Sequence, residues 1–593
     1  MASGRSAPAA SRPGRDAAAR PAGEALAVGF LLLTLAGFVS IAYGPSLHLP
    51  FIADDYIFLD RTRWTRVQDL TSFANVDFRW YRPWSREIHF WALQRVFGAN
   101  PVPFRLAGAL LWIAALGLYW RIVGLVADRR VAFAAVFGVA SLALWGTPLL
   151  WISGSQDLWM LVLSLFALWL CLGGHDLLAT LPFALALLSK ETAATFLIVI
   201  VAAHVLLRGE SPGRALRRTS SLFVVTAVWV IAHPTLRTVL LSNGVTPETL
   251  HRPSLPALSL RTLGSVVNLS LVPNPSDLSA SDLLRAVASA ALLGGALWLA
   301  LQGTVPTAGA NRAASSPRRL VAFGLAWMLA GWAPLVLPSI GWHAYYGCVG
   351  VLGAWLILAA WLARRPRLAI VVIAALTVLR SADAATRSWD WGNEWYQRRA
   401  GSLLDDVHAT LTRLHPSVPA HSRLFFGHVP NNIGLISGDN PAVRVWYSDS
   451  TLRGGFFSSY RPRRTGLQLG ADLFFYYDSS AGLVEVTTRD DPTSDADIAR
   501  PTWVDAHTAL AMMFLGGAAF AEADTTFAGI ARLESHPEAA GYASVCAEIA
   551  GDDARADSLL TQARQRMRLS AEEEERWLAA LRSAVPRMLE TGR

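Results

Sequence analysis

The sequence predicts a polytopic α-helical membrane protein of about eleven spans, followed by a C-terminal soluble domain. Three observations predict it. The 593 residues are 53% hydrophobic and only 16% charged, with a positive mean hydropathy of +0.34, which is too little charge for a soluble chain of this length. Uncharged apolar runs recur from residue 25 to about 380, each near the length that crosses a bilayer. Beyond Ser381 the composition turns mixed and polar.

Taken in order, residues 1–24 form a tail rich in Ala, Pro, Ser and Arg, expected to be disordered. Arg5, Arg12, Arg15 and Arg20 place it in the cytoplasm. The run Ala25 to Tyr43 has no charge and no clear cleavage site after it, so it reads as a retained anchor. The transmembrane domain is assigned to 25–380, with a long external loop at 47–105. Within that loop, Pro83 to Gly98 sets Trp84, Ile88, Trp91 and Leu93 among Arg86, Glu87 and Arg95, the pattern of an interfacial amphipathic helix.

Further spans are predicted near 105–126, 131–150, 157–173, 177–189, 193–207, 220–240, 284–302, 320–337, 345–362 and 368–380. Those at 177–189 and 368–380 are short for a bilayer. Turns assigned to the inside carry Arg129 and Arg130; Arg208, Arg214, Arg217 and Arg218; Arg312, Arg318 and Arg319; Arg364, Arg365 and Arg367. The Gly173–Asp176 turn alone lacks Arg. Many of the 23 Trp sit near span ends, as interfacial belts require.

An odd number of spans puts the tail outside. Residues 381–500 read as a small α/β segment, with strands expected at Arg423–Gly427, Ala442–Tyr447 and Ala471–Tyr477. Residues 501–593 read as helical hairpins. There Glu522-Ala-Asp-Thr-Thr-Phe recurs loosely as Arg555-Ala-Asp-Ser-Leu-Leu at an offset of 33, the spacing of tetratricopeptide-like repeats.

The net charge of +8 suits anionic lipid surfaces. Nucleic acid is not an expected partner, because the Arg are scattered among spans. Cys171, Cys348 and Cys546 have no CxxC spacing, so neither a disulfide framework nor a zinc site is expected. The chain holds one Lys, Lys190, against 51 Arg. A GC-rich genome drives Lys to Arg wherever the swap is tolerated, and a site needing a compact ammonium resists it. The Ala- and Arg-rich composition points to the cytoplasmic membrane of a bacterium, with active face and C-terminal domain towards the periplasm.

Under this topology several polar groups share one side: Asp54 and Asp55 in Phe51-Ile-Ala-Asp-Asp-Tyr56; Tyr81 and Arg82; Gln156 and Asp157; Lys190 and Glu191; and His343, Tyr345 and Tyr346. Ionisable residues at membrane depth line cavities and pair with one another. A carboxylate base with cations able to hold an anion suits attack by a hydroxyl on a sugar whose leaving group is a lipid phosphate. One base and a single displacement would invert the anomeric centre; retention would need a second carboxylate as nucleophile. Adjacent Asp on an extended chain point apart and do not supply it. Duller roles stand beside these: Asp54, Asp55 or Asp157 as helix caps, Arg82 snorkelling to headgroups, Lys190 and Glu191 neutralising each other, and His343 as an interfacial structural residue. A membrane transporter and a non-catalytic anchor presenting the helical tail are the alternative functions.

These segments resemble the GT-C glycosyltransferases, multi-span enzymes that use polyprenyl-phosphate sugars. Phe51-Ile-Ala-Asp-Asp-Tyr56 looks like their acidic first-loop motif, and Tyr81-Arg-Pro-Trp84 like the segment that follows it. Trp151-Ile-Ser-Gly-Ser-Gln-Asp157 and Leu188-Ser-Lys-Glu-Thr192 are similar to the branch containing the tetratricopeptide-bearing protein O-mannosyltransferases. The resemblance covers roughly residues 26–360. It implies a GT-C-like membrane domain, with one of Asp54 and Asp55 as catalytic base and Arg82, Lys190 and His343 facing the donor phosphate. Glu191, Asp157, Gln156, Tyr81, Tyr345 and Tyr346 would support them. The implied partners are a polyprenyl-phosphate-linked sugar, a hydroxyl acceptor on protein or glycan, and the bilayer. Ser155-Gln156 stands where the family often has Arg-Lys, and His343-Ala-Tyr-Tyr replaces a commoner Arg-Tyr-x-Tyr; both changes remove positive charge. No cofactor is required by the resemblance. A divalent metal on Asp54 or Asp55 is left open, as are the sugar, with mannose suggested by the branch, and the acceptor.

Overall fold

The computed structural model describes residues 14–72, 80–234, 253–269, 278–303, 316–337, 342–387, 393–430, 440–463, 470–487, 501–533 and 536–591. Residues 1–13 of the tail expected to be disordered lie outside them, as do 235–240 of the span expected at 220–240; residues 14–24 instead begin the helix Gly14–Tyr43. The chain divides into two compact units. One comprises 1–49 and 62–399; the other comprises 50–61 and 400–593.

The first unit is helical, and the chain is an integral multi-pass membrane protein. Among the described residues, seven helices are long and apolar enough to cross a membrane: Gly23–Ser46, Pro101–Val126, Ile152–Leu172, Ala280–Leu301, Pro317–Val336, Ala344–Leu362 and Pro366–Ala385. Two bent pairs, Arg129–Leu150 and Pro212–Ala232, raise the number to nine. The difference from about eleven lies at 177–189, where the helix is only Thr180–Leu187, and at 193–207, a short apolar helix Glu191–Leu207. Conversely, the run expected at 368–380 extends to a full 20-residue helix, because Pro366 starts it early and Arg380 is absorbed into its buried face.

The bend in Arg129–Leu150 has an identifiable cause. The helix Arg129–Ala140 stops short of Ala143, and Asn268 fills the gap. Its Oδ1 accepts from the Ala143 N–H at 2.8 Å, and its Nδ2 donates to the carbonyls of Ser141 and Leu376 at 2.9 and 2.8 Å. Backbone groups freed by a helix break inside a membrane domain need such partners. Arg105 shows the same rule from the other direction: buried, it donates to the carbonyls of Leu150, Leu47 and Leu49.

The second unit holds a four-stranded sheet in the order β2-β1-β3-β4. Its strands are β1 (Arg423–Gly427), β2 (Arg453–Phe456), β3 (Asp472–Asp478) and β4 (Gly482–Glu485). β1 runs parallel to β2 and β3, and β3 pairs antiparallel with β4. β1 and β3 fall where the sequence places strands. β2 is missed because it reads Arg-Gly-Gly-Phe. Gly454 is required there, at φ +143°, since a Cβ would sit 1.9 Å from the Leu424 carbonyl oxygen. The strand expected at Ala442–Tyr447 is instead the helix Pro441–Tyr447. Pro441 opens it at its first turn, and burial of residues 441–445 on all sides removes the helical period from the sequence.

Beyond the sheet come helices Pro501–Gly516, Phe520–Ile530, Ala539–Ala550, Asp553–Met567 and Ala571–Thr591; each of the first three packs on the next, and the last packs on the first and third. The two copies of the 33-residue spacing begin the second and fourth, and Arg555 pairs with Asp524 across them. Segment 50–61 packs within this unit: Asp60 accepts from Arg444 Nε at 2.7 Å, and Trp446 Nε1 donates to the Tyr56 hydroxyl at 3.1 Å.

Candidate functional site

The first unit gathers nine of the eleven candidate residues into one cluster. Gln156 and Asp157 occupy the first turn of the helix Ser155–Leu172. Lys190 lies in extended conformation just before the turn Glu191–Ala194. Its ammonium Nζ sits 2.7 Å from each Asp157 carboxylate oxygen. Arg82 Nε lies 3.1 Å from both Glu191 oxygens, and its Nη2 is 2.6 Å from Oε2. Arg82 Nη1 donates to Gln156 Oε1 at 2.9 Å, joining the two ion pairs through neighbouring residues of one helix.

Aromatic rings close the cluster. Lys190 Nζ is 5.3 and 5.8 Å from the ring centroids of Tyr345 and Tyr346, within cation–π range. His343 stacks on Tyr345 at 6.0 Å and meets Tyr346 edge-on at 5.3 Å. The Arg82 guanidinium lies 5.0 Å over Trp80. Tyr81 joins through His233, whose ring meets it edge-on and whose Nε2 is 3.8 Å from Glu191 Oε1. Side-chain exposure of the four charged members runs only from 7% to 17%, so each charge needs its partner.

The segment carrying Arg82 is pinned by its backbone. One turn of π-helix, Pro83–Ile88, follows it. Trp84 N–H donates to the Leu188 carbonyl at 3.2 Å, and Ser85 Oγ to the Ser189 carbonyl at 2.7 Å. Such turns widen a helix by one residue and re-aim its side chains. The interfacial helix expected over Pro83–Gly98 is therefore corrected in its first half. Arg86 and Glu87 point inward as a buried ion pair at 2.8 Å, with 2% and 1% side-chain exposure. The sequence also did not single out His233, Trp80 or Ser85. A His directly before Pro234, at the end of an apolar run, was the available signal for His233.

His89 opens the helix His89–Phe97, and its Nδ1 accepts from Trp159 Nε1 at 3.1 Å. Burial pushes this imidazole down to about 4. The unfolded chain binds this proton near the ordinary value of 6.5, so the folded state loses stability as pH falls from about 6.5 towards 4. We expect a loss on the order of 3 kcal/mol at pH 4 from this residue. Melting temperatures of the solubilised protein from pH 7 to 4 check it: the acid-side fall should be shallower in His89→Gln.

Asp54 and Asp55 belong to the second unit. They form the first turn of the helix Asp54–Trp64 rather than an extended stretch. Ala53 before them has φ +50°, an uncommon conformation for a residue with a side chain. Asp55 is fully buried and accepts from the Ile52 N–H at 3.1 Å. Asp54 is half-buried.

No family model matches the chain, and no curated protein matches it. Among solved structures it is similar to ArnT from Cupriavidus metallidurans, in the apo state and bound to undecaprenyl phosphate. Identity is 15% and the TM-score 0.37 in both cases, over 71% and 72% of this chain and 85% and 86% of that one. A likeness of this distance decides nothing about the site, which stands on its own residues.

Proposed function

We propose that the protein is a membrane glycosyltransferase that moves a sugar from a polyprenyl-phosphate donor to a hydroxyl acceptor, with inversion. The observation that carries the reading is the joined pair of ion pairs, Arg82–Glu191 and Lys190–Asp157, in a domain of apolar helices. An ammonium has three donors, two of which face Asp157, and a guanidinium has five, so both cations keep capacity for an incoming oxyanion. Glu191 and Asp157 then act as positioning groups that hold the cations in place without adding net charge.

The acceptor hydroxyl oxygen bonds to the anomeric carbon as the bond from that carbon to the phosphate oxygen breaks. The hydroxyl proton passes to a carboxylate, and the lipid phosphate leaves with the bonding electrons. Asp54 is the better base of its pair, because Asp55 is enclosed and accepts from the Ile52 N–H. Arg82 and Lys190 offset charge building on the leaving phosphate. His343, Tyr345 and Tyr346 shape the wall beside Lys190. Mannose is the sugar and protein Ser/Thr or a glycan the acceptor that the family resemblance suggests, with the reaction on the periplasmic face. The helices from 501 onward are read as tetratricopeptide-like.

The test is mass-spectrometric turnover of polyprenyl-phosphate mannose and other polyprenyl-phosphate sugars by full-length protein. Removing a general base costs on the order of a hundredfold or more. We expect that loss in Asp54→Asn and a smaller one in Asp55→Asn, with membrane insertion unchanged. Wild-type turnover in both variants would reject the assignment. Solute uptake into vesicles that depends on Lys190 would point to a transporter instead.

A further inference from the structure

At the far end of the helix Ser155–Leu172, a second polar cluster lies outside the site just described. Asp157 and Cys171 are separated by 14 positions of this helix, roughly 21 Å. Cys171, Asp176 and His204 bring one thiol sulfur, one carboxylate oxygen and one ring nitrogen within 4.8 Å of one another. We infer that these three residues bind a zinc ion that clips the end of this helix to the turn at 204–210.

His204 is the residue that requires explanation. It is 1% exposed, yet neither ring nitrogen has a hydrogen-bond partner among the described residues. Its Nε2 lies 3.1 Å from Asp176 Oδ1 and its Nδ1 3.4 Å from Glu210 Oε2, and those two oxygens are likewise buried without a hydrogen bond. The opposite oxygen of each carboxylate is held by Arg218, at 2.9 Å for Asp176 and 2.7 Å for Glu210. Each carboxylate is thus oriented from behind, with its remaining oxygen turned on the imidazole. Buried polar atoms without partners are few in folded proteins and call for a cause.

A zinc ion supplies one. Tetrahedral zinc with bonds of about 2.0–2.3 Å holds its ligand atoms on the order of 3.5 Å apart; here His204 Nε2 and Asp176 Oδ1 are 3.1 Å apart, and the thiol completes a group within 4.8 Å. Mixed sulfur, nitrogen and oxygen donors suit zinc over magnesium or calcium. Nε2 would ligate, leaving Nδ1–H to donate to Glu210, the usual arrangement in which a carboxylate fixes a metal-bound imidazole.

The backbone is built around these groups. His204 sits in a single π-turn, Ala203–Leu207, a rare feature that clusters at functional positions. The Glu210 N–H returns to the His204 carbonyl at 3.0 Å, and Gly209 reverses the chain at φ +71°. Arg208 Nη1 donates to the Cys171 carbonyl at 2.9 Å. The Gly173–Asp176 turn is also the inside-assigned turn without Arg, so its acidic residue has a use there. No CxxC pattern announces the site because its ligands come from two separate turns.

The experiment measures metal bound to full-length protein in detergent after gel filtration, with cobalt(II) as an optical substitute. We expect about one zinc per chain and, with cobalt, tetrahedral absorption bands plus a thiolate charge-transfer band. Cys171→Ser and His204→Gln should abolish both, whereas Cys348→Ser and Cys546→Ser should keep them. Glu210→Gln should weaken zinc binding by about 10–100-fold. The cobalt spectrum of the wild type decides the matter even where Cys171→Ser fails to fold. Metal content no higher than in a Cys171→Ser/His204→Gln double variant, or a cobalt spectrum without the thiolate band, would overturn the site and leave the imidazole with its two carboxylate neighbours alone.

Discussion

Lys190→Met alone should destabilise the membrane domain by about 3–5 kcal/mol, and Asp157→Leu alone by a similar amount, because each leaves a buried charge without its partner. Both side chains are nearly enclosed, at 12% and 7% exposure, and the ammonium lies equidistant from the two carboxylate oxygens. The double variant Lys190→Met/Asp157→Leu should recover most of that loss, since a buried ion pair is often no more stabilising than an apolar pair of similar size. Turnover should behave differently. If Lys190 holds the donor phosphate, the double variant stays inactive although it folds. Thermal melts and turnover of all four proteins form one cycle. Additive stability losses would deny the coupling, and an active double variant would reduce the pair to scaffold.

The candidate residues were legible because expense is visible in a hydrophobic sequence. One Lys among 52 basic residues, set in Leu-Leu-Ser-Lys-Glu, stands out with no alignment. The pairing was not legible. Neighbours in sequence suggested Lys190 with Glu191, whereas an extended backbone at Lys190 sends the two side chains apart. Lys190 takes Asp157 and Glu191 takes Arg82. Asp157 therefore holds Lys190 rather than capping its helix, whose first turn has no side-chain cap. An α-helical period puts Arg86 and Glu87 on a wet face; the π-turn shifts that period and buries both.

The fold shows the same division. Apolar runs locate the seven long helices to within a few residues, since length and hydropathy are one-dimensional properties, but they also mark 177–189 and 193–207, where the helices are short. Whether a run is one straight helix depends on tertiary partners. Asn268, more than 100 positions away, holds the break at Ser141. In the second unit, alternating apolar residues reveal β1 and β3, whereas a buried helix of seven residues looks like a strand.

Gly353→Leu should be the most damaging substitution in the apolar core, because backbone stands where its side chain would go. Gly324 and Gly331 are two turns apart on the helix Pro317–Trp332, and Gly350 and Gly353 share a face of Cys348–Leu362. A Cβ on Gly353 would lie 2.5 Å from the Gly324 carbonyl oxygen and from the Met328 nitrogen, and one on Gly331 2.5 Å from the Gly350 nitrogen. Small residues are what let helices approach this closely where water gives no hydrophobic drive. Backbone atoms cannot rotate aside, so even Gly353→Ala must part the helices, at a cost of about 3 kcal/mol or more. Gly117→Ala and Gly295→Ala are the controls: both open on empty space, and each should gain up to about 1 kcal/mol of helix stability. The turn Ala344–Gly347 leads directly into the second helix, so parting the pair should also move Tyr345 and Tyr346 from Lys190 and lower turnover. A Gly353→Ala protein that melts and turns over like the wild type would show that this helix pair has slack the geometry denies.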